Sequence, residues 1–285
     1  MVFSAEQAAE MFPVFKGRLG KVQYKASMRI TGIDNVNKIH DNVEKQGIAP
    51  GPDFAKGILD QIGTDFLIGN PERLQFPEGA FITISNHIYG HLDGICLVDI
   101  IGHVRPRVKV MVNELLMYIY GLAPNFISVN PTVKKKETTK TSINGVKEAL
   151  LQLHSGEPLA LFPSGAVADL RPREGWTLNE RDWQDAAVKL IRKARVPIVP
   201  IRFFDHNSWF YYALGLLDYR IRFVRLFHEV ANKKGTHPRL GIGETITVEQ
   251  QDAVSDDDFK AFLRSSVYDM PLPEHYIKRS DLWKK

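Results

Sequence analysis

The sequence predicts an α/β fold: a single domain with a largely parallel central sheet flanked by helices, preceded by an N-terminal helical lead-in. Three observations carry this. From Asp65 onward, short apolar runs rich in β-branched residues alternate with segments of helical period, the pattern of strands joined by helical crossovers. Residues 1–62 show helical period only, and Pro50-Gly51-Pro52 punctuates them. No repeat, low-complexity stretch or linker interrupts the chain after residue 65. The expected organisation is a lead-in at 1–62, the α/β domain at 63–250 and a C-terminal helical tail at 251–285.

Taken in order, Ser4 caps a first helix carrying Ala8, Met11 and Phe12, limited by Pro13. A second helix covers Asn35 to Lys45. A third runs from Asp53 to Ile62, with Phe54, Ile58 and Ile62 along one face. Phe66–Ile68, Ala80–Ile84, Val108–Val112, Phe126–Val129, Leu159–Phe162 and Val196–Ile201 have the length and composition of buried strands. Gly94–Val104, Thr141–Leu153 and Trp183–Ala194 have helical period. Pro200 offers no amide to a central ladder, so the last strand is expected at a sheet edge or to contain a bulge.

Chemistry concentrates between Ser85 and Gly94. His87 leaves a strand end and Asp93 opens the next helix, which places both in a βα loop at the carboxyl edge of the sheet, where ligands bind. An imidazole oriented by a carboxylate takes a proton from a hydroxyl near neutral pH. Other readings stay open at this point. Asp93 has the type and place of an ordinary helix N-cap, and His87 those of a strand-end histidine. His87, His91 and Asp93 resemble a metal-ligand set, although four-residue spacing aligns ligands only on a helix and Gly90 argues against one there.

Asn113 ends its strand and is expected at the same rim, unless it only makes the turn. Phe162-Pro163-Ser164-Gly165-Ala166 also follows a strand and turns through Pro-x-Gly at that edge. Ser164 lacks the Gly-x-Ser-x-Gly elbow of a serine nucleophile. Arg171 and Arg173 suit an anionic headgroup or a donor phosphate, and equally a solvated basic turn. Trp209 to Tyr212, followed by Arg220, Arg222 and Arg225, suits a membrane-docking surface or the mouth of an acyl pocket, and equally an aromatic stripe in the core.

Composition narrows the class. Hydrophobic content of 44% and charged content of 25% are those of a soluble globular chain. The lone cysteine, Cys96, rules out an internal disulfide framework and fits a reducing compartment. Met1 to Glu6 has no basic n-region, and no apolar run nears the roughly 18–20 residues that span a bilayer. The net charge of +4 is mild, with basic residues grouped at Lys134–Lys140 and Arg220–Arg239. These groups suit anionic lipid or an acidic carrier protein. No nucleic-acid partner is expected. The expected location is cytoplasmic, peripheral at the inner face of the cytoplasmic membrane.

In this order the blocks resemble the glycerolipid acyltransferase superfamily, over residues 50–250. Its motifs are Asn-His followed after four residues by Asp, then Phe-Pro-Glu-Gly-Thr, then a Val-Pro-Ile-Val-Pro strand. Here Asn86-His87 stand with Asp93, followed by Phe162–Ala166 and Val196–Ile201. Five residues separate His87 from Asp93, which is similar to the hemolysin-like bacterial branch with its Asn-His-Pro-Leu-Gly-Gly-Leu-Asp-Gly motif. Residues 86–94 depart from it at Ile88, Tyr89 and His91, and Asn207-Ser208 matches its Asn-Ser. Some members of that branch acylate lyso-ornithine or lyso-glycine lipids.

The resemblance implies O-acyl transfer from acyl-CoA or acyl carrier protein to a hydroxyl of a lysolipid, with no metal and no cofactor beyond that co-substrate. His87 would be the general base and Asp93 its orienter. Asn86, Phe162, Pro163, Ser164, Gly165 and Ala166 would bind substrate as motif residues, and Asn113, Arg171 and Arg173 are expected to do so from their position and residue type alone. Backbone amides near Gly165 are the expected oxyanion donors. The family's second-motif basic residue and the third-motif Glu and Arg are absent, which argues against a glycerol-3-phosphate-type acceptor. The same losses motivate the alternative, a non-catalytic membrane-associated lipid-binding protein on this fold.

Overall fold

A computed structural model describes residues 32–129, 140–217 and 219–284. The expected helix from Ser4 and the lysines at 134–136 lie outside them. The chain opens with helices α1 (Ile33–Lys45) and α2 (Pro52–Ile62), then strands β1 (Leu67–Gly69) and β2 (Ile82–Ser85). Helix α3 (His91–Gly102), strands β3 (Lys109–Asn113) and β4 (Phe126–Val129), helix α4 (Lys140–His154) and strand β5 (Leu159–Leu161) follow. A small hairpin of β6 (Asp169–Arg171) and β7 (Thr177–Asn179) precedes helix α5 (Asp185–Ala194) and strand β8 (Ile198–Phe203). Then come α6 (Trp209–Leu217), α7 (Tyr219–Ala231), β9 (Arg239–Ile242), α8 (Val248–Asp252), α9 (Asp256–Tyr268) and β10 (Tyr276–Lys278).

Eight strands form one sheet in the order β10-β1-β9-β8-β2-β5-β3-β4. Five of its seven pairings are parallel, so the expected largely parallel α/β sheet is the one observed. The crossovers place helices on both faces. On one face Phe54, Ile58 and Leu59 of α2 and Ile95, Cys96 and Val98 of α3 pack with Val110, Val199 and Ile201 of the sheet. On the other, Leu153, Ile191 and Leu263 of α4, α5 and α9 pack with Ile82, Ile84 and Leu159. Helix α2 forms because Phe54, Ala55, Ile58, Leu59 and Ile62 make one apolar stripe. Pro52 starts that helix and Gly63, at φ 74°, ends it. Helix α3 is buried from Leu92 to Gly102 because α2 covers the face that the sheet does not.

Of the two arrangements expected for the strand holding Pro200, an edge or a bulge, the structure has the bulge: the strand is interior, between β9 and β2. Ile201 faces Ile242 while Ile198 faces Ile246, so the partner segment carries one extra residue opposite Pro200. That bulge accommodates the missing amide, and the Pro200 carbonyl still accepts from Gly243 N at 2.8 Å. One expectation is corrected, that for residues 251–285. They contribute α9 to the core and also strand β10, which completes the sheet edge beside β1. Fully buried Arg279 fastens this end of the chain, pairing with Asp99 at 3.0 Å and with Asp60.

Candidate active site

Strand β2 delivers the chain to Asn86, whose side chain is buried. Its Nδ2 donates to the Phe203 carbonyl at 2.8 Å, and its Oδ1 accepts from Phe203 N at 2.7 Å. The side-chain amide thus imitates a strand pairing with the end of β8. Expected to touch substrate, Asn86 instead has both halves of its amide committed to backbone and anchors the next residue.

That residue is His87. Its Nδ1 lies 2.9 Å from Asp93 Oδ2, and its ring stacks on Phe162 with centroids 4.3 Å apart. The side chain is 19% exposed, and Nε2 has no bonding partner among the described residues. Asp93 is fully buried. It is not the N-cap, which is Gly90, but lies three residues into the helix and reaches back. Its Oδ2 accepts from the amides of Ile88 and Tyr89 at 2.9 Å and of Gly90 at 3.0 Å. A carboxylate that already accepts backbone N–H groups accepts from the ring as well, so Nδ1 carries the proton and the Nε2 lone pair is free. Gly90 is required here: its φ is +77°, and a Cβ would stand 2.7 Å from Leu226 Cδ2.

The backbone of His87 is held from two sides. Ala168 N donates to its carbonyl at 2.8 Å, and the Glu180 carboxylate accepts its N–H. Glu180 is buried and also accepts from Tyr268 Oη at 2.6 Å and Trp183 Nε1 at 3.3 Å. Burial raises its pKa above the usual glutamate value. The sequence reading missed Glu180, because nothing in its neighbourhood marks it. The only hint was the absent acid of the third motif. Asn207, the first residue of the Asn-Ser pair, donates its Nδ2 to the Ile88 carbonyl at 3.0 Å, bracing the loop from a third side.

The Phe162–Ala166 stretch divides by role. Phe162 touches His87, as above. Pro163 and Ser164 offer carbonyls to Gln184, at 2.9 and 3.4 Å. Ser164 is buried, with its hydroxyl donating to the Ala166 carbonyl at 3.0 Å, so it is a turn residue. Gly165, at φ +64°, gives its N–H to the Phe162 carbonyl at 2.9 Å. Of the backbone amides near Gly165 expected to hold an oxyanion, that of Gly165 itself is already used within the turn. Ala166 follows that turn, half-buried.

The remaining candidates scatter. Asn113 stands at the carboxyl end of β3, on the same edge as His87 but with β5 between their strands. Arg171 is spoken for by Glu174 at 2.8 Å and by the Glu180 carbonyl at 2.7 Å. Arg173 is exposed. His91 packs against Phe227 with ring centroids 5.0 Å apart. Burial, with a smaller contribution from His87, lowers its pKa to about 4.

Comparison with known proteins places the chain. The family described as Acyltransferase matches residues 10–271. A lyso-glycine lipid O-acyltransferase of Bacteroides thetaiotaomicron is 28% identical over 189 residues, 66% of this chain and 64% of that protein. One of the same name from Phocaeicola vulgatus is 28% identical over 212 residues, 68% of this chain and 72% of that protein. The chain thus matches less than two thirds of the length of the first relative. The crystal structure of the 1-acyl-sn-glycerophosphate acyltransferase PlsC from Thermotoga maritima superposes with a TM-score of 0.46 at 15% identity, covering 80% of this chain and 76% of that one. By the match over most of its length, the chain belongs to the acyltransferase family.

Proposed function

We propose that this protein is a lysolipid O-acyltransferase, moving a fatty acyl group from an acyl thioester (acyl-CoA or acyl carrier protein) to a hydroxyl of the acceptor. The observation that carries the reading is the His87–Asp93 pair: Nδ1 tied at 2.9 Å to a fully buried carboxylate, Nε2 without a partner among the described residues. His87 Nε2 removes the proton from the acceptor hydroxyl as its oxygen attacks the thioester carbonyl. The negative Asp93 stabilises the imidazolium that forms. Collapse of the tetrahedral intermediate breaks the carbon–sulfur bond, and the thiolate takes the proton back from His87. These steps balance without a metal and without a covalent acyl-enzyme.

The names of the two relatives support an acceptor of the lyso-glycine lipid type. The partner surface is a membrane. Helix α6 buries Tyr211 and Tyr212 and exposes Trp209, Phe210 and Leu217, with Arg225 stacked over the Phe210 ring at 5.2 Å. No helix among the described residues is long and apolar enough to cross a bilayer, so docking is peripheral in this reading.

Labelled acyl-CoA or acyl carrier protein with a panel of amino-acid and phosphate lysolipids, resolved by mass analysis, tests it. Transfer to one headgroup class is expected, falling by about 10²–10⁴-fold in His87→Ala. Undiminished turnover in that variant would overturn the mechanism. The second reading, a non-catalytic lipid-binding protein, is favoured by one observation: the Gly165 amide is already bonded within its turn. It expects lipid binding indifferent to His87→Ala and no transfer at all.

A further inference from the structure

Between the β6–β7 hairpin and helices α6 and α7 lies an open cleft of about 500 Å³. Arg171, Arg173, Arg181 and Arg222 line it, together with Asp169 and Glu174. Two of the four arginines are neutralised by these acids. Arg222 pairs with Asp169 and donates to the Ala168 carbonyl at 2.8 Å. It passes close over Gly215, where a Cβ would stand 2.7 Å from Arg222 Cδ. Arg171 pairs with Glu174 at 2.8 Å. Arg173 and Arg181 are exposed and have no hydrogen-bond or ion-pair partner among the described residues. Two uncompensated guanidinium groups in one cleft leave a positive field that an oxyanion relieves.

The cleft is joined to the reacting loop by two short bridges. Arg222 holds the carbonyl of Ala168, whose N–H holds the His87 carbonyl. Arg171 holds the carbonyl of Glu180, whose carboxylate holds the His87 N–H. Two walls of the cleft, Arg171 and Arg222, are therefore tied by hydrogen bonds to the backbone that holds His87.

We infer that Arg173 and Arg181 form an anion-binding site for the charged end of a substrate, with Arg171 and Arg222 as its neutralised walls. The inference rests on the acyltransferase reading and adds to it how a substrate is gripped. The chemistry recognised is a phosphate or carboxylate able to accept paired N–H donors from a guanidinium fork. Two sources carry such a group: the phosphopantetheine arm shared by coenzyme A and carrier-protein donors, and the free carboxylate of an amino-acid lysolipid.

Isothermal titration of the full chain with coenzyme A, with a soluble N-acylglycine and with inorganic phosphate separates them. The double variant Arg173→Gln/Arg181→Gln is compared with wild type. The double variant Lys189→Gln/Lys193→Gln, at two exposed lysines on α5, controls for the loss of two positive charges. Binding of at least one substrate probe is expected to weaken about tenfold or more in the double variant and not in the control. The probe that shows the loss names the source. Equal affinities in all three proteins, no binding of either substrate probe to wild type, or an effect on inorganic phosphate alone would each overturn the inference. Binding is read without turnover. A chain that grips these probes through the two arginines yet transfers no acyl group would remove the acyltransferase reading and leave the anion site standing.

Discussion

Asp93 and His87 meet at 2.9 Å between Oδ2 and Nδ1, and the carboxylate that makes this bond has no exposed surface. A buried charge is tolerated only when it is compensated, and here the amides of Ile88, Tyr89 and Gly90 compensate it. One side chain thus closes the loop, starts helix α3 and fixes the ring tautomer.

That convergence separates two substitutions at Asp93. Asp93→Asn keeps an oxygen for the three amides and the ring but loses the charge that stabilises the imidazolium. Turnover is expected to drop about 10²–10⁴-fold, with a stability loss of about 1–2 kcal/mol. Asp93→Ala leaves the three amides without an acceptor and is expected to cost about 3 kcal/mol or more. Urea titration and acyl-transfer rates check both. Equal stability of the two variants would contradict the role given to the amides.

Glu180 predicts a slope in stability against pH. Its folded pKa is raised by burial, so the folded state holds the proton more tightly than the unfolded chain. Its contribution is full below the ordinary glutamate pKa and is lost as pH rises through the raised folded value. In Glu180→Gln this part of the slope should vanish. Stability should also fall by about 1–3 kcal/mol, because the amide NH₂ faces another donor among His87 N–H, Trp183 and Tyr268. Denaturant midpoints from pH 4 to 8 decide it, and a parallel pair of curves would refute it.

His91 has the opposite sign. Its folded pKa of about 4 lies below the model-peptide value, so the unfolded chain takes up a proton that the folded one refuses. Its contribution is full above about pH 6.5 and is lost as pH falls towards 4, worth about 2–3 kcal/mol over that window. His91→Gln should flatten the acid limb of the stability profile. An unchanged acid limb would mean that His91 charges freely in the folded state.

Helix α6 predicts where membrane contact occurs. Phe210→Ser with Leu217→Ser removes two exposed apolar groups and leaves buried Tyr211 and Tyr212 in place. Sedimentation with anionic vesicles is expected to show at least about tenfold weaker binding, from the apolar area lost. Melting temperature should hold. Vesicle binding unchanged in the double variant would assign docking to another surface.

The α/β class, strands β1, β2, β3, β4, β5 and β8, the βα loop and the His87–Asp93 pair were legible in the chain, because each rests on local pattern. Apolar runs of strand length and helical period are written within a dozen residues. A His and an Asp on either side of one strand-to-helix turn are brought together by that turn alone. Tertiary structure decided what depends on distant partners. Pro200 sits inside the sheet because a bulge in a segment some forty residues further on absorbs its missing amide. The Asn86 amide is consumed by Phe203, and Gly165 by its own turn. Glu180 reaches His87 across 93 positions of sequence, and Arg173 and Arg181 share a cleft with residues from two later helices. Hydrogen bonds and charge compensation are settled by whichever groups the fold brings within about 3 Å, and no periodicity in the chain encodes that distance.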